Sequence, residues 1–166
     1  TRNGIVVTIE DTPLGRGGEG GVHKIISPAN YAGSCVKVFL NPAPERQRKL
    51  EYMLQNPPQI PKMAKLHVCW PQDLVFDQGK FLGYIMPMAA AGSCNLNKLM
   101  SPNLRKKLAW GAMYDIDTRE GFKNCLGLCQ NLAIMIHYLH MTRHYVLVDL
   151  KPENVMVNGQ AEVSMI

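Results

Sequence analysis

Residues 147–157 read LVDLKPENVMV. An acid, a base and an amide (Asp149, Lys151 and Asn154) sit at offsets zero, two and five, with Pro152 between them and apolar residues on both sides. A chain built this way must present three polar groups on a short turn while burying the segments that flank it. Pro152 stiffens that turn. The three groups have complementary chemistry. A carboxylate can accept a hydroxyl proton, and a lysine two residues on can reach the same reacting group and neutralise phosphate charge. An amide three residues further offers a neutral oxygen to a hard cation such as Mg²⁺. The bland alternative is a polar turn with incidental charges.

The surrounding pattern says what holds the turn. Residues 122–140 carry apolar or small side chains at 122, 126, 129, 133 and 136, with a second stripe at Leu128, Leu132, Met135 and Leu139. Those steps of three and four predict one helix, buried on most sides. After the turn, residues 155–166 predict a hairpin with Asn158-Gly159 at its bend. Upstream the signals are mostly β. Residues 4–9 read as a strand. Residues 23–27, after the glycine-rich stretch 14–22, and 34–40 read as a hairpin around Pro28, Asn30 and Gly33, and 73–88 as another with Gly79 at its turn. A short helix begins near Glu45, carries Leu50, Met53 and Leu54 inward, and is ended by NPPQIP at 56–61. Residues 89–95 form a small-residue connector before a helical turn at 96–100, and 101–121 read as a surface insertion with a helical piece. The order is β-rich, then helical, then a short hairpin. It predicts an α+β chain of two layers or lobes, 1–88 and 89–166, joined near 87–93.

Gly15, Gly17 and Gly20 have the G-x-G-x-x-G spacing, with Val22 two beyond. Alone the pattern is weak, since flexible turns share it. A dinucleotide-binding loop would run from a strand into a helix. Here β-branched residues, a proline and a second strand follow, so the loop should join two strands and lie over a ligand with its N–H groups facing phosphates. Side chains at the glycines would block that approach. Lys37 follows Val22 by fifteen residues, roughly one strand out and one back, and alternation turns it away from Val36 and Val38. It is either an edge-strand charge or a buried cation with an anionic partner, and the preceding glycine loop favours the second.

Composition narrows the classes. Hydrophobic residues make up 46% of the 166, enough for a core and against disorder. No apolar run approaches the roughly 20 residues of a membrane span, and no export signal is present, so a cytoplasmic protein is expected. The chain lacks an initiator Met, so it reads as a fragment or a processed chain. The net charge of +5 suits phosphate-bearing partners, but it is dispersed, and the densest stretch, ERQRKLE at 45–51, mixes signs. Five scattered cysteines argue for free thiols in a reducing compartment. Cys125 and Cys129, four apart without other ligands nearby, read as buried small hydrophobes.

With these motifs in place, the sequence resembles the protein kinase fold. Leu14 to Val22 looks like the kinase glycine-rich loop, CVKVF like the strand that carries V-A-I-K, and HYLH…VLVDLKPENVMV like the helix and catalytic loop that read H-R-D-L-K-P-E-N in the family. The D-L-K-P-E-N form is more similar to Ser/Thr than to Tyr kinases. The NPP, WPQDL and GYIMPM segments also look similar to a bacterial kinase-like family that carries helix-hairpin-helix DNA-binding segments elsewhere. The resemblance implies an antiparallel β N-lobe with one helix, followed by the start of a helical C-lobe. It implies that ATP and Mg²⁺ are bound and that the γ-phosphate passes to a Ser/Thr hydroxyl of a protein substrate. Gly15, Gly17, Gly20 and Val22 would cover the nucleotide and Lys37 would hold the α/β-phosphates. Asp149 would orient the hydroxyl, Lys151 would steady the γ-phosphate, and Asn154 would bind metal. Met86 would guard the back of the adenine pocket. The hinge would run from Pro87 through Met88 to Ala89, with the Pro87 carbonyl and the Ala89 N–H facing the ring. No membrane partner is implied; a nucleic acid would be reached only through segments outside this chain.

The sequence departs from the family in four places. Leu147 and Val148 replace His-Arg, so activation-loop phosphorylation is not expected to be the switch. Glu19 replaces the usual aromatic at the loop tip and brings negative charge near phosphates. The helix glutamate for Lys37 is ambiguous, because the expected spacing falls on Gln47; Glu51, beside the apolar stripe, is favoured over Glu45. The metal-binding D-F-G aspartate would fall just past Ile166, so these residues alone are expected to be inactive. A nucleotide-binding pseudokinase or interaction module is the alternative. A nucleic-acid binder is a third reading, for which no Lys/Arg stripe is seen.

Overall fold

The computed structural model describes residues 1–61, 65–141 and 145–166. The chain forms two compact units: residues 1–57 with 70–88, and residues 58–69 with 89–166.

The first unit is an antiparallel sheet with one helix. Strand β1 (Thr8–Ile9) is followed by β2 (Gly15–Gly17), β3 (Gly20–Ser27) and β4 (Ser34–Phe39). Residues 4–9 were expected to be strand throughout, but only the last two pair, because β1 meets β3 across a register shift and the pairing goes no further. Helix α1 (Pro44–Gln55) starts with Pro44 in its first turn, where a missing N–H costs nothing, and with Glu45 beside the positive end of the dipole. It stops at Asn56, whose N–H closes on the Tyr52 and Met53 carbonyls, and Pro57 and Pro58 prevent continuation.

Strand β5 (Leu66–Val68) belongs to the second unit. Strands β6 (Asp73–Asp77) and β7 (Lys80–Pro87) complete the first, joined by Gln78-Gly79, both at positive φ (46° and 75°), as a tight hairpin turn requires. The order is β1-β3-β4-β7-β6, with β2 pairing β3. Alternation sorts the side chains. Val36 joins Ile25, Val75 and Ile85 on one face. On the other, Phe39 joins Leu74, Phe81 and Leu50 of α1. Full burial of one such side chain is worth roughly 1.5–3 kcal/mol. The strands approach closely at Gly20 and Gly83, where a Cβ would overlap the Val38 and Lys37 carbonyl oxygens.

In the second unit, β8 (Cys94–Asn95) leads into α2 (Leu96–Met100) and α3 (Pro102–Arg105), and α4 (Arg119–Met141) is the long helix. After α4, β9 (Val155–Val157) and β10 (Val163–Met165) close a four-stranded sheet in the order β5-β10-β9-β8. Strand β5 pairs parallel to β10 and carries no alternating run long enough to announce itself in sequence.

Three expectations need correction here. The stretch 101–121 is not wholly surface. Tyr114 is 1% exposed, stacks edge-on against Trp110 and donates its O–H to the Asn158 carbonyl at 2.8 Å. Helix α4 buries one face only. Gly121, Leu128, Met135 and Leu139 turn inward, while Phe122, Leu126 and Cys129 face solvent. Both stripes are apolar, but the helix packs on one side, against β5, β10 and residues 111–114. Finally, the β9–β10 turn spans 158–162 rather than closing on Asn158-Gly159. Asn158 is buried, and its Oδ1 accepts from the N–H groups of Gln160 and Glu162, so the side chain adds to the backbone bond from the Ala161 N–H to the Asn158 carbonyl.

The close strand approach makes a contrast testable by thermal melting. Gly83→Ala should destabilise the first unit by about 1–3 kcal/mol, since the Lys37 carbonyl belongs to a packed strand that cannot retreat. Gly18→Ala, where a Cβ meets open space, should stay within about 0.5 kcal/mol of the parent protein.

Candidate functional site

The glycine loop is a tight hairpin in the first unit. Gly17 pairs with Gly20, which leaves Gly18-Glu19 as the tip, and the Leu40 N–H anchors the Glu19 carbonyl at 2.9 Å. Gly15 and Gly17 have open space around a notional Cβ, as close approach of a ligand would demand. Gly20 is different. Strand packing against the Val38 carbonyl already explains it, so phosphate access is not needed to account for that glycine. Val22 pairs with Lys37 across β3 and β4.

Lys37 lies on the β4 face opposite Val36 and Val38, as alternation predicts. Its Nζ lies 3.0 Å from Glu19 Oε2, and Arg46 Nη1 of α1 lies 2.9 Å from Glu19 Oε1. Both cations stand over the Phe39 ring, Lys37 at 5.6 Å and Arg46 at 4.8 Å from its centre. The Lys37 ammonium, helped by Arg46, holds the Glu19 carboxyl below the ordinary glutamate value, although desolvation opposes the shift. Glu51 does not fill the role expected of it. Its Oε1 accepts from Gln47 Nε2 at 2.9 Å, one turn back along α1, and among the described residues no ion pair joins it to Lys37. The charge of Lys37 is met by the loop tip instead, a role that sequence reading did not assign to Arg46 or Glu19. The signal was present as a carboxylate where the pattern calls for an aromatic.

At the end of β7, Met86 is buried, and the Cys35 Sγ donates to its carbonyl at 3.6 Å. Burial pushes the Cys35 thiol up to about 11, so it stays a protonated packing group. The Met88 N–H is taken by the Gly33 carbonyl at 2.9 Å. The Ala89 N–H makes no hydrogen bond among the described residues and is available as a donor.

In the second unit the opening triad comes together. Lys151 Nζ is 2.7 Å from Asp149 Oδ2. Asn154 Nδ2 donates to the Asp149 carbonyl at 2.9 Å and to its carboxylate at 3.2 Å. Pro152 opens a single 3₁₀ turn, Pro152–Asn154, and the Asn154 N–H closes on the Lys151 carbonyl. Val155, 2% exposed, then anchors the segment in the sheet. A sequence-silent support comes from α2 and the strand before it. Asn95 Nδ2 donates to the Glu153 carbonyl at 2.6 Å and Asn97 Nδ2 to the Glu153 carboxylate at 3.4 Å. The Lys151 ammonium, with a smaller contribution from Asn154, holds the Asp149 carboxyl below the ordinary aspartate value.

Asn154 commits its amide N–H to Asp149, which leaves its amide oxygen as a hard donor. Among the described residues no group of three or more His, Cys, Asp or Glu side chains gathers as a metal site. The Asn154 amide oxygen and the Asp149 carboxylate are hard oxygen donors of the kind that can join water or phosphate oxygens around Mg²⁺.

No family model matches the sequence, and no curated protein does either. Solved structures do match in fold. The kinase domain of PknI from Mycobacterium tuberculosis superposes with a TM-score of 0.61 at 16% identity, over 96% of this chain and 58% of that one. The fold is that of a protein kinase. A double mutant of the same domain gives the same figures. The chain thus spans somewhat over half the length of that kinase domain, and the kinase-like likeness covers its antiparallel sheet and its helices. Among the described residues no helix is long and apolar enough to cross a membrane. The nucleic-acid partner expected through other segments draws no support from the likeness.

The carboxylate shift has a definite sign. A lowered value means that the contacts favour charged Asp149 at pH above the ordinary aspartate range and are lost as pH falls through the lowered value. In a side-chain carboxyl NMR titration Asp149 should titrate below 3.8, and Lys151→Met should move it back up. Because the carboxylate is exposed, global stability should barely change between the two proteins.

Proposed function

We propose that the protein carrying this chain is an ATP-dependent phosphotransferase of the Ser/Thr protein kinase type. The observation that carries this reading is the arrangement of Asp149, Lys151 and Asn154 within hydrogen-bond reach of one another on one turn. The kinase-like fold supports it. Asp149 stays ionised at neutral pH and is solvent-exposed, so a substrate hydroxyl can reach it. It orients that hydroxyl and takes its proton as the oxygen bonds to the γ-phosphorus and the bond to the leaving ADP oxygen breaks. Lys151 neutralises charge on the transferred group. Gly15, Gly17 and Val22 cover the nucleotide, and Lys37 binds its α/β-phosphates. Met86 backs the adenine, with Met88 beside it. The Ala89 N–H is a free donor for the ring. Mg²⁺, bound through phosphates and the Asn154 amide oxygen, would supply further charge neutralisation. Catalysis of this kind is mainly positioning and charge stabilisation. The cysteines form no disulfide among the described residues, which suits a reducing compartment such as the cytoplasm.

One observation favours a second reading, a nucleotide-binding module without transfer. Lys37 is paired with the loop tip, and Glu51 is turned to Gln47. Thermal-shift titration with ATP, with and without Mg²⁺, alongside a phosphate-transfer assay on the full-length protein, separates the two. The first reading predicts transfer, lowered at least about a hundredfold by Lys37→Met and by Asp149→Asn with unchanged circular dichroism. Mg²⁺-dependent binding without any transfer would establish the module, and full transfer by both variants would reject the assignment.

A further inference from the structure

Glu19, Lys37, Arg46 and Phe39 form one cluster. A single carboxylate bridges two cations at 3.0 and 2.9 Å, and both cations stand over the Phe39 ring. Two converging cations of this kind make a site for a doubly charged anion, with Arg46 offering a planar fork and Lys37 a point charge. A carboxylate supplies only one negative charge there. We propose that Lys37 and Arg46 together are a polyphosphate-binding pair, and that Glu19 is a built-in competitor that occupies it until a nucleotide's phosphates displace it. The inference rests on the phosphotransferase reading for its ligand, and it adds Arg46 and Glu19 to the groups that set nucleotide affinity.

The local structure suits such an exchange. The Glu19 backbone is fixed by the Leu40 N–H, so the carboxylate can leave by side-chain rotation alone. Its side chain is 55% exposed and has solvent to enter. Gly17 and Gly18, just before it, leave open space where side chains would otherwise obstruct an incoming phosphate. Lys37 keeps its Nζ close to the Phe39 ring and is the more buried of the two cations, at 25% exposed against 38% for Arg46. Arg46 sits in the first turn of α1, the end of the helix whose dipole favours negative charge nearby. The Lys37 contact keeps Glu19 ionised at neutral pH, so the competitor carries its full charge there.

The test is isothermal titration of the full-length protein with inorganic triphosphate and with MgATP. Glu19→Gln keeps the shape of the side chain but removes its charge, and it should tighten triphosphate about three- to thirtyfold, the range expected from releasing two exposed ion pairs. Arg46→Gln should weaken both ligands, and adding it to Glu19→Gln should cancel most of the gain. High salt should shrink all of these differences. If the parent protein binds MgATP but Glu19→Gln leaves triphosphate affinity unchanged or weakens it, the competitor role is overturned and the phosphotransferase reading stands. Equal binding by the parent and Arg46→Gln likewise overturns the paired-cation site. If neither ligand binds the parent or Glu19→Gln, the functional reading itself fails.

Discussion

A carboxylate held between an ammonium and an amide on a single turn is the arrangement on which the chemical reading depends. Asp149 cannot be held this way by its neighbours in sequence alone, because the side chains of Lys151 and Asn154 must be brought back over it. The 3₁₀ turn Pro152–Asn154 returns Asn154 over Asp149, and the burial of Val155 fixes where the turn ends. Below it, Val157 and Val163 are fully buried, and Asn158 knots the hairpin by accepting two backbone N–H groups while its own amide donates to the Ala91 carbonyl. The exposed polar chemistry is thus carried on a small, strongly buried sheet. Rigid support under the reacting groups is what positional catalysis requires.

The first unit meets a related demand differently. Its sheet is pinned by two apolar faces, and Lys37 stands on the face that carries α1, ion-paired with Glu19. Where the kinase resemblance implies a helix glutamate as partner, this chain uses the loop tip. The consequence is physical as well as positional. A partner on a helix would hold the lysine in place with nucleotide bound, whereas a partner on the glycine hairpin occupies the region where phosphates are expected. Arg46 then becomes a second cation that the helix contributes.

Much of the architecture was legible because it rests on short-range rules. The hairpin at Gln78-Gly79 announced itself through a glycine between alternating strands, and α1 through its Leu50, Met53 and Leu54 stripe and the prolines after Asn56. The polar turn at 149–154 was visible for the same reason, since its three groups lie within one hydrogen-bonded turn. What was hidden depends on contacts far apart in sequence. Strand β5 has only three residues and is a strand because β10 lies beside it. Tyr114 is a core residue because Asn158 offers a carbonyl forty-four positions away. Periodicity showed two apolar stripes on α4 but could not say which one has a neighbour. Glu19 finding Lys37 and Arg46 needed the folded loop, and Glu51 finding Gln47 shows that a helix satisfies its own polar side chains first when the geometry allows.

Lysine footprinting tests the central claim most directly. The full-length protein would be acetylated briefly with and without MgATP, and modification at each lysine read by mass spectrometry. The phosphotransferase proposal predicts that Lys37 and Lys151 are each protected as MgATP is added, while Lys80 on β7 and Lys123 on α4 react unchanged. Protection of neither, or of only one of the two at saturating nucleotide, would contradict it.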